Sequence, residues 1–190
     1  MLVPFAFWGI TPTKTSTPAT SKLSTPEFSV DQAKRVDMTL KQIAQKKRTT
    51  PFLRKITFSQ DELNSYLNIV YAKDYAPELK YINLKLDKNN SIDGVMKVKL
   101  DAKQYERVPA FLRDIEIEFS GKIESENSRM RYLFEGLKIN KTAFSPGVLD
   151  EAFGAAQGNA QIKKSIFDWF DLFPGIKKMT VDYKEISVFY

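Results

Sequence analysis

The sequence predicts an α+β protein, in which a strongly curved antiparallel sheet of four to six strands wraps helices from both ends of the chain. Three observations predict it. Through the middle of the chain apolar residues alternate with polar ones, which is the mark of antiparallel strands with one wet face. On both sides of that region apolar residues recur at helical spacing instead. At the junction Ile56–Leu67 a short extended piece feeds directly into a helix through a doubly bonded cap.

The chain opens on ten nearly all-apolar residues, Met-Leu-Val-Pro-Phe-Ala-Phe-Trp-Gly-Ile, too few to span a bilayer and without a basic leader. They read as a disordered start or as the remnant of a targeting segment that begins upstream of Met1. Residues 11–26 are rich in Thr, Ser and Pro and bury too little apolar surface to offset their ordering entropy, so they read as an extended tether. Residues 27–190 form the single expected domain.

The first helix is expected from about Ser29 to Lys47. Ser29 and Gln32 make a capping-box pattern, and Ala33, Val36, Leu40 and Ile43 share a face. Pro51 stops it. Ile56–Phe58 is a short strand. A second helix follows from Gln60 to about Ala72, capped by the Ser59 hydroxyl, with Glu62 reaching back to the Ser59 N–H. Phe58 and Leu63 flank the cap as a hydrophobic staple, and Leu63, Tyr66, Leu67 and Val70 form the apolar face. Asn64 sits beside that face, one turn before Asn68. A polar side chain there needs a buried partner, so it is expected to hydrogen-bond a strand or loop backbone and lock the helix to the sheet.

Ile82, Leu84 and Leu86 alternate in the first of the central strands, and Met96, Val98, Leu100 and Ala102 in the second. Lys88–Ser91 is a turn, and Asp93-Gly94 suggests a bulge. Ile115, Ile117, Phe119 and Ile123 give a third strand, residues 129–139 a fourth, and residues 177–190 a last one bent between Tyr183 and Ile186. Between these last two lies an expected helical pair. Ser145-Pro146 starts the first helix, with Phe153 on its apolar face. The second covers roughly residues 160–173, ended by Pro174-Gly175. Its segment Ile166–Phe173 is aromatic or aliphatic nearly all round, with Asp168 and Asp171 on one narrow stripe. Such a helix packs in a core, lines a cavity for an apolar chain or docks on a membrane. The candidate ligand-lining residues are therefore Phe153, Phe167, Trp169, Phe170 and Phe173.

The chain has no Cys and no His among its 190 residues. That removes thiol nucleophiles, disulfides, His general bases and Cys/His metal sites. No phosphate-cradling Gly-rich loop and no Gly-x-Ser-x-Gly is present, so no cofactor, metal or catalytic residue is expected. Two acid pairs bear on a carboxylate hydrolase. Asp61 and Glu62 point in different directions on a helix start and fit capping. Glu116 and Glu118 lie about 7 Å apart on one strand face, and that face is the wet one. Two glycosylation sequons, Asn89-Asn90-Ser91 and Asn140-Lys141-Thr142, matter only in a secreted eukaryotic protein. The net charge of +6 is dispersed. Its densest stretch, Lys41, Lys46, Lys47, Arg48, Arg54 and Lys55, reads as a solvated helix end or as a patch for anionic lipid or nucleic acid. No aromatic platform is interleaved with it, so no nucleic-acid partner is expected.

The run Thr57-Phe58-Ser59-Gln60-Asp61-Glu62-Leu63-Asn64-Ser65-Tyr66-Leu67 resembles the "T-x-x-E-x-N-x-y-L" opening of secreted bacterial domains of unknown function, themselves similar in style to periplasmic tubular lipid-binding-like (TULIP-like) proteins. Ser145-Pro146-Gly147-Val148-Leu149 stands where those domains carry a "Pro-x-x-leu-leu" helix, and Phe173–Met179 resembles their "lP-gi-kk-i" segment. The resemblance covers about Ile56 to Tyr190. It implies long helices packed in the curl of a bent sheet, an apolar or lipid ligand between them, and no catalytic residue. With the tethered layout, the expected function is a non-enzymatic, extracytoplasmic or envelope-associated domain that binds a lipid or other apolar small molecule, with a membrane surface or an envelope protein as further partner. The alternatives are a protein–protein scaffold of the cell envelope and, less favoured by the residues, a carboxylate hydrolase.

Overall fold

The computed structural model describes residues 27–45, 52–74, 76–99, 114–145, 147 and 168–190. The apolar start, the tether, Leu100, Ala102, Phe153 and Phe167 lie outside the described residues.

The α+β class is observed, with antiparallel strands throughout. They divide into two sheets where one was expected. The larger runs β2 (Leu79–Leu86), β3 (Ser91–Lys99), β4 (Asp114–Glu126), β5 (Arg129–Ile139) and β6 (Thr142–Ala143), with β7 (Phe170–Asp171) also on β5. The smaller has the order β1 (Lys55–Ser59), β9 (Glu185–Phe189), β8 (Lys178–Asp182). The expected last strand is thus a hairpin. Asp182 pairs with Glu185, and the chain reverses at Tyr183-Lys184, with Lys184 at φ 58°. The shift of phase that suggested a bulge is the two-residue turn.

Helix α1 (Val30–Gln45) buries Ala33, Val36 and Ile43. Its cap differs from the expected box. The Gln32 N–H donates to Ser29 Oγ at 3.4 Å, but the Ser29 N–H donates to Ser65 Oγ at 3.1 Å, and that hydroxyl donates to Gln32 Oε1 at 3.2 Å. A serine from the second helix is inserted into the box and ties the two helices together. Helix α2 (Gln60–Tyr66) starts as predicted: Ser59 Oγ accepts from the Glu62 N–H at 3.2 Å, and Glu62 Oε2 accepts from the Ser59 N–H at 2.8 Å. The helix then widens into a π-helical turn, Leu67–Tyr71, and ends with one α-turn, Ala72–Asp74.

In β3, Asp93 and Gly94 keep regular register with Lys85 and Leu84, so no bulge forms there. The Phe119 ring and Leu84 Cδ2 occupy the space a Cβ on Gly94 would need. The glycine admits an aromatic ring rather than a bend. Register shifts fall instead between β4 and β5, at Ser120/Gly121, and at the start of β2, at Leu79/Tyr81. The Lys88–Ser91 turn is present, with Asn89 and Asn90 both at φ 60°, the conformation a two-residue hairpin favours. Asn90 also bridges the sheets: its Oδ1 accepts from the Val181 N–H at 2.8 Å. Ser125 Oγ accepts from the Met179 N–H at 2.9 Å. The hairpin ends of the larger sheet therefore lean on β8, and one apolar core joins α1, both sheets and Ile176.

The helix expected to end at Phe173 is absent over residues 168–173, where Phe170–Asp171 is a strand and Phe173–Ile176 a turn. Residues 148–167 lie outside the described residues. Composition that is apolar all round does not separate helix from strand, because it carries no period.

Among the described residues Tyr132 is the most perturbed titratable group. Its hydroxyl donates to the Ile92 carbonyl at 2.7 Å, and its ring meets Phe119 and Phe134 edge-on at 5.7 and 4.6 Å. Burial, then the charges of Asp93 and Glu135, hold the phenol well above its usual pKa of 10.0. The native state therefore keeps a proton that the unfolded chain releases above that pH. Its contribution is complete below pH 10 and falls as pH rises further, by at most about 1.4 kcal/mol per pH unit. Urea unfolding of wild type and Tyr132→Phe across pH 8–11.5 should give a difference that is flat at first and then shrinks in favour of the variant. A flat difference throughout would contradict the assignment.

Candidate apolar ligand site

Between the helices and the smaller sheet lies a cavity of about 440 Å³. The sequence builds it from periodic faces. Val36 and Leu40, one turn apart, descend from α1, and Leu63, Tyr66 and Leu67 from α2 and its π-turn. The floor is the inner face of the smaller sheet. Phe58 pairs with Ile186, and Val188 with Met179. Met130 of β5 and the Asp171–Ile176 segment close the side. Side chains that alternate along strands and recur every turn on helices thus converge on one volume.

Among the described residues Asp171 is the one charged residue in this lining. It sits exposed at the edge, with Arg129 Nε 3.8 Å from its carboxylate. Tyr66 and Tyr71 bring phenols to walls that are otherwise aliphatic or aromatic. The volume falls in the roughly 300–1,000 Å³ range of small-molecule pockets. The Pro174-Gly175 turn fixes one wall: Gly175 stands at φ 90°, and a Cβ there would come within 2.8 Å of the Ile43 carbonyl oxygen. The turn needs glycine both for its backbone and for its approach to α1.

Of the aromatic residues singled out in the sequence, Phe173 lines the cavity. Trp169 lies instead against the Arg131 guanidinium, 4.9 Å from the ring centre. Phe170 is exposed on β7, paired with Met130 at the edge of the larger sheet. The helix faces supply more of the lining than that aromatic run. Val36, Leu40, Leu63, Tyr66 and Leu67 were legible as apolar stripes but carried no sign of facing a void.

Glu62 and Asn64 are both buried, and each has its partners. Glu62 forms an ion pair with Arg35 of α1 besides its cap bond. Asn64 Nδ2 donates to the Leu84 carbonyl at 2.9 Å, and its Oδ1 accepts from the Leu84 N–H at 2.8 Å. Asn68 repeats this one turn on, with the Ile82 carbonyl at 2.6 Å and the Ile82 N–H at 2.9 Å. Gln60 Oε1 accepts from the Leu86 N–H at 2.8 Å. Three amides at i, i+4 and i+8 of the helix thus meet alternate residues of β2. The match is metric: four helical residues rise about 6.0 Å and two strand residues about 6.7 Å.

In the two acid pairs the carboxylates have separate surroundings. Asp61 is exposed, and Glu62 is committed to the cap and Arg35. Glu116 meets Lys97 at 3.3 Å and Glu118 meets Lys138 at 3.2 Å, each on a neighbouring strand. Among the described residues no group of three or more acidic side chains could hold a metal ion, and no helix is long and apolar enough to cross a membrane. No family model, curated protein or solved structure matches the chain.

Proposed function

We propose that this protein is a non-enzymatic binding domain that holds a lipid or another molecule with an apolar chain between its helices and its smaller sheet. The carrying observation is the cavity of about 440 Å³, which has a single charged residue, at its edge, among the described residues that line it. A void so lined gains little from water and gains about 0.8 kcal/mol for each methylene it takes from solvent. The commitment of Glu62, Glu116 and Glu118 to cations and to a helix cap supports binding over carboxylate catalysis. The Thr/Ser/Pro-rich run ahead of the domain supports an exported or envelope-associated placement.

Native mass spectrometry of the purified full chain, followed by solvent extraction, should reveal co-purified lipid. Titration with straight-chain fatty alcohols of rising length should show affinity climbing about fourfold per methylene until the cavity fills. A chain free of lipid, with no length dependence, would remove the reading.

A further inference from the structure

One end of the smaller sheet collects positive charge from two distant parts of the chain. Lys55 of β1 and Lys178 of β8 are both paired with Phe189 of β9, so the three share a face, with the two lysines about 10 Å apart across the sheet. Arg54 exchanges backbone hydrogen bonds with Tyr190, both at 2.9 Å, and the Lys177 N–H donates to the Phe189 carbonyl at 2.7 Å. Arg54 and Lys177 stand one residue further along at the same end, Arg54 with its side chain on the opposite face by strand alternation. The eight ion pairs among the described residues include none of these four cations. Lys41, which the sequence groups with Arg54 and Lys55, is instead paired with Asp37 on α1.

The nearest acids of this sheet, Asp182 and Glu185, stand at its other end, about 13 Å along β8 from Lys178. Beside the four cations Phe52 and Leu53 project into solvent, 80% and 58% exposed. Adjacent large apolar side chains at a sheet end whose cations join none of these ion pairs match the two layers of a bilayer surface, anionic headgroups over acyl chains. A nucleic acid would use the cations but gains nothing from an aliphatic Leu53, since its bases stack on planar groups.

We propose that this end of the smaller sheet is a docking surface for anionic membranes, with Arg54, Lys55, Lys177 and Lys178 at the headgroups and Phe52 and Leu53 inserted below them. The surface is separate from the cavity, and the proposal stands whether or not the cavity holds a lipid. It is tested by co-sedimentation of the full chain with vesicles of phosphatidylcholine alone and of phosphatidylcholine mixed with phosphatidylglycerol. Binding is expected on the mixed vesicles only, and it should collapse at about 1 M salt, where the Debye length is near 3 Å. Lys177→Gln with Lys178→Gln should weaken it about 25-fold, at roughly fivefold per cation. Phe52→Ser with Leu53→Ser should weaken it at least tenfold while leaving the salt dependence in place. Circular dichroism of each variant confirms its fold, and the two pairs lie in different segments, so loss of one by misfolding leaves the other decisive. Equal binding to neutral vesicles, unchanged binding in both folded variants, or binding to a DNA duplex that the Phe52/Leu53 pair does not affect would each overturn the proposal.

Discussion

Replacing Asn64 by leucine is expected to destabilise the fold by about 3 kcal/mol, although the two side chains are close in size. Asn64 is 4% exposed, and its amide satisfies both polar groups of the Leu84 peptide and also donates to Asn83 Oδ1 at 3.1 Å. Leucine removes the donor and the acceptor and leaves a buried N–H and a buried C=O facing hydrocarbon, at about 1–3 kcal/mol each. The added apolar burial recovers part of this. Asn64→Asp should be similarly costly, because it keeps the acceptor for the Leu84 N–H but turns a second oxygen toward the Leu84 carbonyl. Urea denaturation at neutral pH measures both. A loss under about 0.5 kcal/mol, the ordinary scatter of a surface substitution, would mean the amide rungs add nothing. The neighbouring Asn68→Leu shares a bond with Asn64 through the Asn64 carbonyl, at 2.8 Å. The double variant should therefore depart from additivity by more than the few tenths typical of distant sites.

The second large effect concerns the cavity. Leu40→Trp should abolish loading with apolar ligands, lowering affinity at least about 100-fold, while leaving the urea midpoint unchanged or raised. Leu40 is partly buried and projects from α1 into the void opposite the inner face of the smaller sheet. An indole there fills space that is otherwise empty, so the usual overpacking penalty of about 1–3 kcal/mol is relieved. Isothermal titration with the longest alcohol that binds wild type, beside a denaturation curve, separates the outcomes. Retained affinity would place the ligand elsewhere. A collapse of stability would mean that the volume does not accept a larger side chain.

The parts of this fold legible in the sequence are those written in local chemistry. Ser59 and Glu62 announce their cap because a hydroxyl and a carboxylate three residues apart can satisfy two N–H groups with nothing else present. Asn64 announces a buried partner because an amide beside an apolar face has no cheaper fate. The central strands declare their period. What stayed hidden depends on distant residues. Tyr183-Lys184 has none of the Gly or Asn that marks a tight turn, so a hairpin read as one bent strand. The Ser29–Gln32 box did not show that Ser65, 36 residues away, would enter it. Trp169 and Phe170 are ligand candidates only on a helical reading of a run that carries no polar period; Trp169 instead precedes the edge strand and lies against Arg131, and Phe170, on that strand, is exposed. The cavity was least legible of all, since apolar stripes that fill a core and stripes that line a void have the same spacing.

The row of amides along β2 also governs how this molecule meets copies of itself. β2 is the outermost strand of the larger sheet, and an outermost strand offers unsatisfied peptide groups to any extended chain that passes. Here five of those groups, from Ile82, Leu84 and Leu86, are already occupied by side chains of one helix. A foreign strand would have to displace them all, at about 1 kcal/mol apiece. Gln60, Asn64 and Asn68 thus act as a detachable false strand, and a helix that frays at its π-turn would turn a colloidally quiet edge into a template for fibre growth.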